Sequence, residues 1–291
     1  MKLSAFHKHA GDQVEWYMPF SDRYDIVYMS KVFSFTPDYD DCINADLVIR
    51  GGSGYCIDLI DGREVFRANL DHALPPAIEH IYPDYSIYPK LTRDTAFGFL
   101  TRGCPRGCSF CIVGEKEGRC SVKVADLSEF WHGQKRIVLC DPNILACKEW
   151  RHLFHQLIES RAEIDFNQGL DIRLMTKEKA HMIDAMRVKD IHFAWDKYDE
   201  RETILRKLRL FSEETKKKPH GHNGVVYMIT NFNTSFEQDL ERIYTLRDMN
   251  YWPFVMIYDR EHADNEYRRL QRWVNMRAVF KSVDRFEDYR G

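Results

Sequence analysis

Cys104, Cys108 and Cys111 crowd into one short run, Thr101-Arg102-Gly103-Cys104-Pro105-Arg106-Gly107-Cys108-Ser109-Phe110-Cys111. The C-x3-C-x2-C spacing places three thiols on a single loop, and any fold of this chain must bring that loop to a place where the thiols can be used. Gly103 and Gly107 permit the tight curl this requires, and Pro105 narrows its course. A cubane iron–sulfur cluster normally takes four cysteine ligands. Three cysteines would hold three of its irons and leave the fourth open to another group. Zinc is an alternative reading, but structural zinc usually draws on paired C-x2-C or Cys/His ligands, and Cys120, Cys140 and Cys147 do not repeat that pairing. Ordinary buried cysteines are the third reading.

The chain has 291 residues, 44% of them hydrophobic, which is enough to bury one large core and a smaller one. Its net charge of −3 gives no global basic field that would advertise a long nucleic-acid footprint. A modified nucleotide or a small RNA loop stays open as a substrate. Eight cysteines in a chain of this length do not suggest a disulfide framework. Thiols kept free for a metal suit a reducing, cytoplasmic compartment. The opening residues Met1 to Lys8 lack the apolar core and cleavage site of a signal peptide. No uncharged apolar run is long enough to span a bilayer, so no membrane partner is expected.

Short elements alternate in the first part of the chain. Met1 to Ala10 has a helical pattern ended by Gly11-Asp12, Val14 to Trp16 is a short strand, and Tyr24 to Met29 is a buried strand. Asp46 to Ile49 is another strand, followed by Gly51-Gly52-Ser53-Gly54. That glycine run lacks a phosphate-binding spacing and is read as a structural turn. Residues 1–75 thus form a small, Rossmann-like α/β unit, and 76–93, with Pro76, Pro83 and Pro89, form an irregular linker. Six apolar runs follow: Ala96–Leu100, Ile137–Cys140, Glu163–Phe166, Ile191–Ala194, Val225–Ile229 and Phe254–Tyr258. Helical periods separate the later ones, at Trp150–Arg161, Lys177–Met186, Glu200–Lys216 and Phe236–Met249. The expected fold is α/β, with a partial (β/α)6 TIM-like barrel over 94–262 and a helical tail over 263–291.

The cysteine loop resembles the signature of the radical S-adenosylmethionine (radical SAM) superfamily, C-x3-C-x-aromatic-C, with Phe110 in the aromatic slot. The resemblance implies that Cys104, Cys108 and Cys111 hold a [4Fe–4S] cluster whose open iron is chelated by SAM. One electron then splits SAM into methionine and a 5′-deoxyadenosyl radical, which takes a hydrogen atom from a substrate. It also implies a flavodoxin- or ferredoxin-type electron donor. The substrate class, whether small molecule, peptide or nucleotide, is not fixed by it. The first unit resembles the truncated cobalamin-binding-like domain that precedes some radical SAM barrels. The cobalamin-ligating D-x-H-x-x-G is missing, since Asp190-Ile191-His192 lacks the glycine and the position, so no cobalamin is predicted. A unit of this type usually opens with a strand, which suggests an N-terminally incomplete fold. Methylthiotransferase-like RNA or tRNA modification is one alternative function. A non-catalytic iron–sulfur or zinc-binding scaffold is another.

In β/α barrels the site lies at the C-terminal ends of the strands. That rule nominates the polar residues closing each run. Asp141 and Asn143 could accept from the SAM amino group, or could cap a helix. Asp171 and Arg173 could hold a ribose hydroxyl and a carboxylate, or could simply pair with each other. Asp196 is the candidate at the fourth run, while His192 and Trp195 beside it are read as core and wall. Phe110, by the resemblance, packs near the adenine edge. Asn231, Asn233 and Asp259 face the same mouth by topology. Gly114 to Arg119 could fold over the cluster or be a solvated turn. Lys216-Lys217-Lys218-Pro219-His220-Gly221-His222 is a basic connector, most simply solvated. Cys42, Cys56, Cys120, Cys140 and Cys147 form no evident auxiliary site.

Overall fold

The computed structural model describes residues 1–60, 63–219 and 223–291; His220, Gly221 and His222 of the basic connector lie outside the described residues. The chain begins with a helix over Lys2–Ala10, which stops where Gly11 takes φ 91° and closes the last turn onto the His7 and Lys8 carbonyls. Two strands, β1 (Tyr24–Ser30) and β2 (Ala45–Gly51), pair in parallel, with Ile26 opposite Leu47 and Tyr28 opposite Ile49. A hairpin follows, β3 (Ile57–Ile60) antiparallel to β4 (Arg63–Phe66). Between β2 and β3 the glycines let two chain segments touch. A Cβ at Gly52 or Gly54 would run into the backbone of Lys31 or Phe33, which is what a structural turn at this place requires.

Three expectations for this part change. Val14 to Trp16 is irregular rather than a strand. The run Tyr24 to Met29 is a strand but not a buried one, since only Val27 is buried in it. Its apolar residues suggested a core, yet the sheet has just two strands and leaves Ile26, Tyr28 and Leu47 open. Residues 76–93 are not irregular throughout. Short helices form at Pro76–Glu79 and Pro89–Thr92, and the segment is fixed at both sides. The Tyr85 hydroxyl donates to the carbonyls of Phe97 (3.2 Å) and Phe130 (2.7 Å) and accepts from the Phe97 N–H (3.1 Å). Asp84 accepts from Ser4 Oγ (2.5 Å) and pairs with Lys8 Nζ (2.7 Å), tying this segment back to the first helix.

The rest of the chain is built on parallel strands. β5 (Thr95–Gly98) is followed by a two-stranded antiparallel ladder, β6 (Thr101–Arg102) with β7 (Val122–Lys123). Then come β8 (Arg136–Leu139), β9 (Glu163–Phe166) and the short β10 (Arg187–Val188), and these form one sheet in the order β10-β9-β8-β5. β11 (Ile191–Ala194), β12 (Asn223–Thr230) and β13 (Trp252–Ile257) form a second, in chain order. Every pairing in both sheets is parallel. Parallel neighbours need a crossover, and helices Trp150–Ser160, Arg201–Glu214 and Phe236–Asp248 provide three of them. Their apolar stripes, Leu153, Phe154 and Leu157, then Ile204, Leu205 and Leu208, then Ile243 and Leu246, sink into a single core with the strands. The helices Asn265–Asn275 and Arg277–Ser282 pack on β13 through Leu270, Trp273, Val274 and Phe280. The molecule is therefore mixed α/β with several mostly parallel sheets, and no closed barrel forms among the described residues. No helix of the described residues is long and apolar enough to cross a membrane.

Candidate functional site

The cysteine loop leaves the C-terminal end of β5, and Asp141 fixes where it starts. Asp141 is 4% exposed, just past β8. Its carboxylate accepts from Leu100 N–H (3.1 Å), Thr101 N–H (2.5 Å) and Thr101 Oγ (2.6 Å). Burial pushes this carboxyl up to about 6, against the pull of those three donors. Of the two sequence readings, ligand contact or helix cap, neither describes these bonds: the carboxylate serves the chain's own backbone, because the strand end and loop start leave two buried N–H groups that need an acceptor.

From there the loop is held by its own return segment. Gly103 adopts φ 83°, and a Cβ on it would collide with the carbonyl oxygen of Cys120. Cys104 N–H donates to Gly118 O (3.1 Å), and Glu117 takes Arg102 Nη1 (3.0 Å) and Gly103 N–H (3.3 Å). Lys116, at the end of the short helix Val113–Lys116, pairs with Asp71 at 3.3 Å. The stretch Gly114 to Arg119 is thus the loop's brace. Cys104 and Cys108 are partly exposed and Cys111 is exposed, all as free thiols. Burial pushes the Cys108 thiol up. The surrounding protein does the same to Cys111, with a smaller push from Cys104.

A polar network carries the loop onto the next strand ends. Arg106 Nε donates to Asp171 at 2.7 Å, and Arg173 Nε donates to the other oxygen of the same carboxylate at 2.7 Å. Burial alone would raise the Asp171 carboxyl, but the two guanidiniums, Arg173 first, outweigh it and hold it below its ordinary range. Arg173 also donates to Glu200 at 2.5 Å. Asn143, 4% exposed, donates to Cys104 Sγ (3.4 Å) and to Asp171 (3.2 Å), while its Oδ1 is buried with no partner. Asp171 and Arg173 do pair with each other, as one of the two sequence readings held, but the pair is one link of a chain running from Arg106 to Glu200.

Asp196, past β11, is partly exposed, and its carboxyl is raised by burial; it accepts from Ile229 N–H at 3.2 Å. Beside it Trp195 is fully buried, its indole N–H donating to Lys197 O (3.0 Å), so it is core rather than a wall of the cavity. His192 is partly exposed, its ring 5.2 Å from Tyr227, with Nδ1 unpartnered. Asn231, Asn233 and Asp259 all take left-handed φ values, 60°, 52° and 47°. Asn231 N–H is held by Asp239 and Asp259 binds His262 at 2.8 Å, so these residues shape turns at the mouth.

A cavity of about 710 Å³ opens against the loop. Cys108, Phe110 and Cys111 form one wall, and Met256 and Tyr258 at the end of β13 form another. Its size falls within the usual range for small-molecule sites. Phe110 meets Phe232 edge-on at 5.6 Å, and Phe232 lies 4.5 Å from Tyr258, so the aromatic side of the cavity is continuous. Hairpin residues Arg63, Glu64 and Val65 close it from the N-terminal unit. Sequence reasoning missed this hairpin, the role of Arg106, and Phe232. The Asp61-Gly62 dipeptide between two short apolar runs is a hairpin signal that could have found the first. Nothing local marks Phe232 or the Arg106–Asp171 pairing, which join distant parts of the chain.

Among the described residues no three His, Cys, Asp or Glu side chains converge as a site for a metal ion. Cys108 and Cys111 line the cavity, while Cys104 Sγ, on the same braced loop, accepts from the Asn143 amide. Compared with models of known protein families the chain matches none, and no curated protein matches it either.

Proposed function

We propose that this chain is a radical SAM enzyme, with Cys104, Cys108 and Cys111 as the ligands of a [4Fe–4S] cluster. The observation that carries the reading is three free thiols on one braced loop past the C-terminal end of a parallel strand, with Cys108 and Cys111 lining a cavity of about 710 Å³. Bound there, the cluster would pass one electron from an external donor to SAM, whose cleavage to methionine would supply a 5′-deoxyadenosyl radical for hydrogen abstraction. The chain's own residues do the rest. Phe110, with Phe232 and Tyr258, offers flat apolar surface to an adenine ring. Asn143, whose Oδ1 has no partner, and Asp196, whose carboxyl is raised by burial, are acceptors for an ammonium or ribose hydroxyl. Arg173 and Asp171 are engaged with each other and with Arg106 and Glu200, so they position the loop first and meet a ligand through any remaining donors. The hairpin over Arg63 to Val65 narrows the way in and excludes water, which a carbon radical requires.

In the same reading the two parallel sheets are halves of one partial (β/α)6 barrel. Supporting this, Lys189 N–H bonds Ile164 O (2.9 Å) and Leu170 N–H bonds His192 O (2.8 Å), which lays β11 beside β9. The β1–β2 unit is then a small Rossmann-like companion, and a flavodoxin- or ferredoxin-type protein of the cytoplasm delivers the electron. Anaerobic reconstitution with iron and sulfide tests the proposal. The expected protein is brown, absorbs broadly in the blue, and yields 5′-deoxyadenosine on reduction with SAM. Cys108→Ala should lose both properties. Full turnover in that variant, or a wild-type chain that never takes up iron, overturns it.

A further inference from the structure

The end of the sheets opposite the cysteine loop is basic, although the whole chain carries −3. Lys135 and Arg136 lead into β8, Arg161 precedes β9, Arg187 opens β10, and Lys216 and Lys217 follow the helix Arg201–Glu214. These positions are joined by hydrogen bonds. Glu163 N–H bonds Lys135 O (2.8 Å), and Arg187 Nη1 donates to Arg161 O (3.3 Å). Asp184, just before Arg187, takes Lys216 N–H on its carboxylate (2.9 Å) and Lys217 Nζ on its carbonyl (3.3 Å). The cations therefore form one band across neighbouring loops, on the order of 15 Å long at about 4.8 Å per strand.

Much of that charge is uncommitted. Lys135 has Asp94 at 3.6 Å, and Arg136 has Asp165 and, at 4.0 Å, Glu163. Lys189 has Asp190 at 3.6 Å. Arg161, Arg187, Lys216 and Lys217 make no ion pair with a carboxylate among the described residues. Arg161 is also notable for its backbone. It caps the helix Trp150–Ser160 at φ 53°, a left-handed position that glycine fills at least cost, yet it carries a long cation. Between these residues lies a cavity of about 360 Å³, lined by Trp131, Lys135, Arg136, Arg161 and Arg187 together with one carboxylate, Glu163. The Trp131 indole N–H is already used by Gln134 O (2.8 Å), so the ring offers the cavity only apolar surface.

We propose that this band docks single-stranded nucleic acid, with successive phosphates along the cations and a base received beside Trp131. An extended row of cations suits a repeating anion better than a single phosphate. A recess with an aromatic wall suits an unstacked base better than the flat surface of an anionic bilayer. The site is at the far end of the strands from the cysteine loop, so it concerns binding and not the chemistry proposed above.

Fluorescence anisotropy with a labelled single-stranded RNA of about 16 nucleotides tests it. Binding should be salt-dependent, and the double variant Arg161→Glu/Arg187→Glu should weaken it at least tenfold at low salt. The slope of log affinity against log salt should fall by about 1.4, at roughly 0.7 for each phosphate that is no longer neutralised. Arg290→Glu, an exposed cation elsewhere, should leave affinity unchanged, and so should Cys108→Ala. If the first double variant does not fold, Lys216→Glu/Lys217→Glu makes the same test on the connector. Unchanged affinity in a folded double variant, or binding without salt dependence, overturns the proposal. So does binding to phosphatidylserine vesicles with none to RNA.

Discussion

Asp141 is a buried carboxylate whose hydrogen bonds all go to the start of the cysteine loop. A carboxylate is normally kept out of the core because ionised oxygens lose their water there. Here three donors from Leu100 and Thr101 replace that water, and they belong to the residues that launch the cysteine loop. Removing the acceptor strands two buried N–H groups, each costing about 1–3 kcal/mol. Asp141→Ala should therefore lose about 2–6 kcal/mol in urea unfolding, and iron retained after reconstitution should drop even though all three cysteines remain. Asp141→Asn keeps one acceptor oxygen and should lose less. Equal stability of wild type and the alanine variant would mean that the loop does not depend on this anchor. The sequence could nominate Asp141 because it follows a strand, but not distinguish a ligand contact from an anchor. That distinction depends on where Leu100 sits, some forty residues away in the chain.

At the scale of elements, the parallel strands and long helices were legible because each carries its own periodicity. Glu163–Phe166 and Ile191–Ala194 fall where the apolar runs placed them, and the helix Arg201–Glu214 lies inside the predicted span. What was not legible has no period to detect. Val14 to Trp16 looks β-like by composition, yet its Trp16 indole donates to Ile87 O (3.0 Å) and the segment stays irregular. The proline-rich segment 76–93 looked like a connector because prolines break regular structure. Its anchoring through Asp84 and Tyr85 is long-range. Asp84 offers a pH test of that anchoring. Burial would raise its carboxyl, but donors from Lys8, Ser4 and Ser86 outweigh it and hold it well below the ordinary carboxylate range. A depressed acid contributes stability above its unfolded pKa, near 4, and loses it as pH falls through the folded value. Thermal stability of the wild type should thus decline below about pH 4, and Asp84→Asn should be less stable at neutral pH with a flatter acid limb. Parallel acid limbs for the two proteins would show that Asp84 does not couple this segment to the first helix.

Across the whole molecule, burial is distributed unevenly, and stability should follow it. In residues 1–60 the buried hydrophobic side chains are Ala5, Val27, Cys56 and Ile57. The same stretch leaves Met18 at 59% exposure, Phe20 at 102% and Phe35 at 77%. A two-stranded parallel sheet with open faces gains little from burial, since parallel sheets are ordinarily covered on both sides. The later strands differ: Ile137, Leu139, Ile164, Phe193, Val226 and Met228 are all sealed in one core. Regions with little buried apolar surface open at lower free energy than the global transition. Amide hydrogen exchange should therefore separate the two parts. Amides of β1 and β2 should exchange through local opening, at least about a hundredfold faster than those of β8, β9 and β12, a gap of about 2.7 kcal/mol. The cavity at the cysteine loop lies where the two parts meet, with Arg63 to Val65 on one side and the ends of β12 and β13 on the other. Amides of β3 and β4 should consequently open with β1 and β2, while those of β13 stay with the core. Hairpin and core amides exchanging at one common rate would mean that the cavity is a single rigid body, and that access to the thiols is not set by motion of the hairpin.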